Sequence, residues 1–91
     1  MNGLSNRKRA AALKYENGYD APIVSAAGMG KIAENIIRNA EESNIPIVYD
    51  EELAGLLTNV DVGDSIPFEL YGAVAKVIAY VMDIDKRISG R

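Results

Sequence analysis

Apolar and polar positions along this chain change period several times, and each change marks an element. Residues 1–8 are small, polar and basic, show no periodicity, and read as a flexible lead-in. Residues 9–16 predict a strand, although Ala10-Ala-Ala-Leu is weak in strand propensity and by itself favours helix. Asn17-Gly18 is a tight-turn signal, because both residues accept positive φ at low cost. Residues 22–27 predict a second strand, with Pro22 at its start, where a missing N–H costs least. Residues 9–27 therefore predict a β-hairpin.

After Gly28-Met-Gly the period becomes helical. Ile32, Ala33, Ile36, Ile37 and Ala40 share one stripe over residues 31–43, with Glu34, Asn35, Arg38, Glu41 and Glu42 facing away. Asn44 suits the helix end and Pro46 stops its continuation. Ile45-Pro-Ile-Val-Tyr predicts a third strand, making residues 22–49 a strand-helix-strand unit with parallel strands and a right-handed crossover. Asp50 then caps a short helix whose buried side is Leu53, Ala54, Leu56 and Leu57, with Glu51 and Glu52 at its dipole-favoured end. Residues 58–66, including Gly63, form a connector. Pro67 suits the first turn of a last helix with Leu70, Tyr71, Val74, Val77, Ile78, Val81 and Met82 on its apolar face. The expected fold is a small single α/β domain over residues 9–84. It comprises a three-stranded mixed sheet (hairpin plus strand-helix-strand) packed with three helices, with residues 85–91 a frayed tail.

Composition narrows the class. Ninety-one residues make one domain, and a 48% apolar share argues for a folded one. No apolar run approaches the ~20 residues a membrane-spanning helix needs, and the basic N-terminus has no apolar stretch behind it to make a signal peptide. The expected location is the cytoplasm, without membrane insertion. The net charge of −3 conceals an asymmetry: Arg7, Lys8 and Arg9 lie at one end and Lys86, Arg87 and Arg91 at the other. Between Asn39 and Ala75 there is no basic residue, while Glu41, Glu42, Asp50, Glu51, Glu52, Asp61, Asp64 and Glu69 fall there. A nucleic-acid binder needs a continuous basic face, so that class is set aside. The acidic middle reads first as solvated surface, and second as a face for a basic protein partner.

The chain is poor in catalytic chemistry. It has no histidine and no cysteine, which removes the usual general base, the thiol nucleophile and the common zinc sites. The pairs Glu41-Glu42 and Glu51-Glu52 are adjacent on helices, so their carboxylates point apart. No enzyme activity, cofactor or metal is expected. Gly28-Met-Gly-Lys31, between a strand and a helix, raises the question of a phosphate cradle at a helix start. It lacks both the P-loop spacing and the third glycine of the dinucleotide pattern, and reads as a glycine turn. Asp61-Val-Gly-Asp64 lacks the further oxygens of a calcium loop.

Four blocks carry a more specific signal: Ala12-Leu-Lys-Tyr15, Asn44-Ile-Pro-Ile-Val48, Val62-Gly-Asp-Ser-Ile-Pro67 and Leu70-Tyr-Gly-Ala-Val-Ala75. In this order they resemble the cytoplasmic C-terminal domain of the flagellar and type III secretion export switch proteins, the FlhB family. The resemblance covers roughly residues 12–83. It implies a domain that hangs below a membrane-embedded export gate and helps switch which substrates are secreted. The family cuts itself within an Asn-Pro-Thr-His motif, and the matching positions here are Ser5, Asn6, Arg7 and Lys8, none of which agrees.

The chain thus looks like a freestanding relative lacking the self-cleavage motif and the strand before it. The resemblance implies protein partners, either components or substrates of the flagellar/type III export apparatus. The missing strand leaves an open edge along Arg9, Ala10, Ala11, Ala12, Leu13, Lys14 and Tyr15, able to accept a partner's strand. Ala12→Pro is expected to damage such binding. The expected state is a monomer, with a strand-edge dimer as the alternative. The function implied is a non-enzymatic adaptor or regulator of export. The alternative is a small α/β module binding an anionic ligand at Gly28–Lys31. Without the motif the chain should stay whole: aged protein is expected to give a single intact mass, and a break near Ser5 would overturn this.

Overall fold

The computed structural model describes residues 8–89, with side chains as far as residue 83. Along the chain come strands β1 (Arg9–Lys14) and β2 (Ile23–Met29), then helices α1 (Lys31–Glu42), α2 (Glu51–Leu57) and α3 (Tyr71–Ser89). A 3-10 turn at Phe68–Leu70 precedes α3. The hairpin forms as expected: β1 and β2 pair antiparallel, with Ala10 opposite Gly28, Ala12 opposite Ala26 and Leu13 opposite Val24. Ser25 is an extra residue on β2, a bulge, and its hydroxyl donates to the Ala12 carbonyl at 3.2 Å. Gly18 adopts φ 94° in the connecting loop, where the Tyr19 N–H donates to the Glu16 carbonyl.

The alanine run is a strand because both faces of the hairpin are covered. Ala11, Leu13, Val24 and Ala27 face the main core, which also holds Ala21, Leu53, Leu57, Ile66 and Val74. The alternation turns Ala10, Ala12, Ala26 and Gly28 to the other face. Helix α1 packs on both strands, and its fully buried residue is Ala33. Small residues let this helix approach closely, and packing thereby overrides a weak strand preference. Gly28 shows how close the approach is: a Cβ there would lie 2.7 Å from the Cβ of Ile32.

The helix ends follow the chain's own signals. Asp50 accepts the Leu53 N–H at 3.0 Å and caps α2. Asn44, at φ 58°, ends α1: its N–H donates to Glu41, and that of Ile45 to Ala40. These are the paired bonds of a Schellman motif. Pro67 stands just before the 3-10 turn, and α3 is helical through Ser89, past the point where fraying is expected.

The third strand is a correction. Among the described residues the sheet has two strands, and residues 45–50 carry no regular secondary structure. There is accordingly no parallel strand-helix-strand crossover in this part of the chain. Part of the outer edge of β2 is instead taken by the connector after α2, in the antiparallel sense. Val24 N–H donates to Asp64 at 3.0 Å, Gly63 N–H to Val24 at 2.7 Å, and Ile66 N–H to Pro22 at 2.9 Å. Ile23 and Ser65 form a single bridge there.

Gly28→Ala is expected to lower stability by about 1–3 kcal/mol, since the added methyl must displace a helix that cannot yield freely. Denaturant unfolding measures it, and Ile32→Ala in the same chain should return part of the loss. Strict additivity of the two substitutions would overturn the contact.

Candidate functional site

Which backbone groups of β1 face away from β2 follows from its pairing. Lys8 accepts from the Gly30 N–H at 2.8 Å, and Ala12 accepts from Ser25, so the backbone groups of residues 8, 10 and 12 point toward β2. Those of Arg9, Ala11 and Leu13 therefore point outward, where no strand pairs with β1 among the described residues. Ala12→Pro would consequently damage the hairpin itself; the outward amides belong to its odd-numbered neighbours. Arg9, Lys14 and Tyr15 are exposed, Ala10 is buried, and Ala11, Ala12 and Leu13 are half-buried. The Arg9 guanidinium lies over α2, with its Nη1 2.8 Å from where a Cβ on Gly55 would stand. Ser5, Asn6 and Arg7 lie outside the described residues, and Lys8 is exposed.

At the glycine turn, Gly28 and Met29 belong to β2, and Gly30 turns the chain into α1 at φ 57°. The Gly30 N–H, which a phosphate cradle would need, is already spent on Lys8. Asp64 uses its carbonyl to hold β2. Among the described residues no cluster of His, Cys, Asp or Glu is arranged to hold a metal ion.

A feature absent from the sequence reading lies on the other side of the hairpin loop. Between residues 15–22 and α3 runs an open groove of about 330 Å³. Its deep wall is made by Ala21, Ile66 and Val74, all buried, and by Pro22 and Ile78. Ala75 and Ala79 give it depth by presenting only methyl groups, and Tyr15, Tyr71 and Met82 stand exposed at its lips. Asp20 is the charged side chain in the lining. Phe68, 78% exposed, packs edge-on against Tyr71 with ring centres 5.3 Å apart. Exposed aromatics around an apolar recess mark an interaction surface rather than a core. The signal in the sequence was the width of the last helix's apolar face. Tyr71, Ala75, Ile78 and Met82 add a second stripe beside Val74, Val77 and Val81, more than one core contact can cover.

Comparison with known proteins gives a consistent picture. The family model described as the FlhB HrpN YscU SpaS family matches residues 7–81. The chain is 35% identical over 85 residues to the uncharacterized protein YlqH of Bacillus subtilis, covering 92% of this chain and 91% of that protein. It is 47% identical over 81 residues to the flagellar biosynthetic protein FlhB of Aquifex aeolicus, covering 87% of this chain but 23% of that protein. The chain thus spans about a quarter of the length of the FlhB proteins it matches. Among solved structures, the cytoplasmic domain of FlhB from Shewanella putrefaciens superposes with a TM-score of 0.84 at 33% identity, covering 97% of this chain and 75% of that one. The PscU C-terminal domain superposes at 0.76 with 29% identity, over 81% of this chain and 96% of that one. No helix among the described residues is long and apolar enough to cross a membrane. With its sequence matched from residue 7 to 81 and its fold superposing on the FlhB cytoplasmic domain and the PscU C-terminal domain, the chain belongs to the FlhB export-switch family.

Proposed function

We propose that this chain is a non-enzymatic adaptor or regulator of flagellar-type (type III) protein export, acting in the cytoplasm by holding an apolar side chain of an export substrate or gate component. The groove between the hairpin loop and α3 carries this reading. Its lining is almost wholly apolar, its floor is the buried Ala21, Ile66 and Val74, and its lips present tyrosine and methionine to solvent. Such a recess can desolvate one or two apolar side chains, at about 1.5–3 kcal/mol each, without rearranging the domain. Family membership supplies the class of partner. Self-cleavage is not part of the proposed function, because the chain has no Asn-Pro bond and no histidine to assist one.

A second reading rests on the outer edge of β1, whose outward N–H and C=O groups could accept a strand from a partner. Pairing between two copies is the less favourable use of it. A symmetric antiparallel pair centred on Ala11 would set Lys8 against Lys14 of the second copy, and like charges face to face destabilise a ladder.

One capture experiment separates the two. Tagged chain is exposed to lysate of flagellated cells, and the recovered export-gate proteins and flagellar subunits are quantified by mass spectrometry. Ala79→Arg, which puts a long cation into the groove from an exposed position, is expected to reduce recovery about tenfold, equivalent to ~1.4 kcal/mol. Ala11→Pro, which removes an outward amide, should leave recovery unchanged if the groove is the site. The reverse pattern would transfer the function to the strand edge, and no loss in either variant would overturn both.

A further inference from the structure

We propose that the groove selects peptide segments whose apolar anchor is flanked by lysine or arginine; the inference rests on the reading of the groove as the partner site. Its basis is the charge of the frame around a mostly apolar recess. Asp20 lines the groove and is exposed. The two backbone stretches that border it, residues 15–23 and 63–71, contain Glu16, Asp20, Asp64 and Glu69 and no lysine or arginine. The Asp64 backbone is held to β2 through its carbonyl, which accepts from the Val24 N–H, two residues before the groove-lining Ile66, and Glu69 sits in the 3-10 turn just before Tyr71. Of these carboxylates Glu16 is partly balanced, by Lys14 at 3.8 Å across two exposed side chains.

Among the described residues no lysine or arginine lines the groove. On α3 the groove-facing positions are 71, 74, 75, 78, 79 and 82. Lys76 follows Ala75 by about 100° around the helix and points away from the centre of that stripe. Upstream of it no basic residue occurs back to Asn39. Carboxylates of one sign around a low-dielectric concavity add their fields there, so an incoming cation is favoured and an incoming anion opposed.

The lips reinforce the preference. Tyr15 and Tyr71 both line the groove and both expose more than a third of their surface, 56% and 42%. The aliphatic stem of a lysine or arginine can lie along such rings, with its charge held near a ring face or near Asp20. A glutamate beside the anchor finds neither. The occupant is therefore a short extended segment with one leucine-, isoleucine- or phenylalanine-type anchor and a cation adjacent to it.

Fluorescence anisotropy with labelled synthetic peptides tests this. One phenylalanine anchor is set in a Gly/Ser/Gln background and flanked by lysines, glutamines or glutamates, and a fourth peptide keeps the lysines but replaces the anchor by alanine. The lysine peptide is expected to bind about threefold tighter than the glutamine one and about tenfold tighter than the glutamate one, as exposed charges allow. At about 1 M salt, where screening acts within ~3 Å, the three should converge. In Asp20→Lys the order should flatten or reverse, with circular dichroism showing the fold unchanged. Equal binding of the three anchored peptides would overturn the charge selection and leave the groove as the site. Binding indifferent to loss of the anchor would overturn the groove reading and this inference together. An order unaltered in Asp20→Lys would overturn the assignment to the groove's frame.

Discussion

Three backbone hydrogen bonds between residues 63–66 and the start of β2 set the geometry on which the rest of this surface depends. They hold Ile66 in the core and deliver Pro67 to the outer side of the sheet, so the helix that follows can only leave alongside the hairpin loop. The groove is the space that remains between that helix and residues 15–22. Neither wall makes it alone: the loop supplies Ala21 and Pro22, the tethered connector supplies Ile66, and α3 supplies one stripe of small and large apolar residues. A groove built this way needs no dedicated element. It is a by-product of closing one sheet edge with a loop.

That tether also explains what was and was not legible in the sequence. Local signals read correctly: Asp50 as a cap, Asn44 as a helix end, Asn17-Gly18 within a hairpin connection, and the helical stripes of α1 and α3. Each depends on residues within a few positions of one another. Ile45-Pro-Ile-Val-Tyr has strand composition, but composition does not say whether a pairing edge is vacant. At the start of β2 the edge is occupied by Gly63-Asp-Ser-Ile, which reads as a loop because its hydrogen bonds are made by backbone and need no alternating side chains. The groove failed to show for a related reason. Its lining comes from three separated parts of the chain, and only the excess width of one helical face hinted that something besides the core lay against it.

The candidate strand edge was legible in place but not in orientation. Which amides of β1 face outward is decided by the partner on its other side, through Lys8 with Gly30 and Ala12 with Ser25. A sequence yields the period of two without its phase. The same register sets the spacing of the sheet from α1, since it brings Gly28, rather than a larger residue, beneath Ile32.

The bulge at Ser25 has a consequence for folding. Ala10, Ala11 and Ala12 face Gly28, Ala27 and Ala26, a stretch in which slipping the strands by two positions exchanges one small residue for another on the same face. Such pairings are nearly degenerate, and a hairpin of this composition would populate several of them. The extra residue, with its hydroxyl donating to the Ala12 carbonyl, breaks that degeneracy, and so does the match of Leu13 with Val24. The landscape acquires a single deep basin from one serine and one large cross-strand pair, so that a sheet made of the least informative side chains nevertheless folds to one answer.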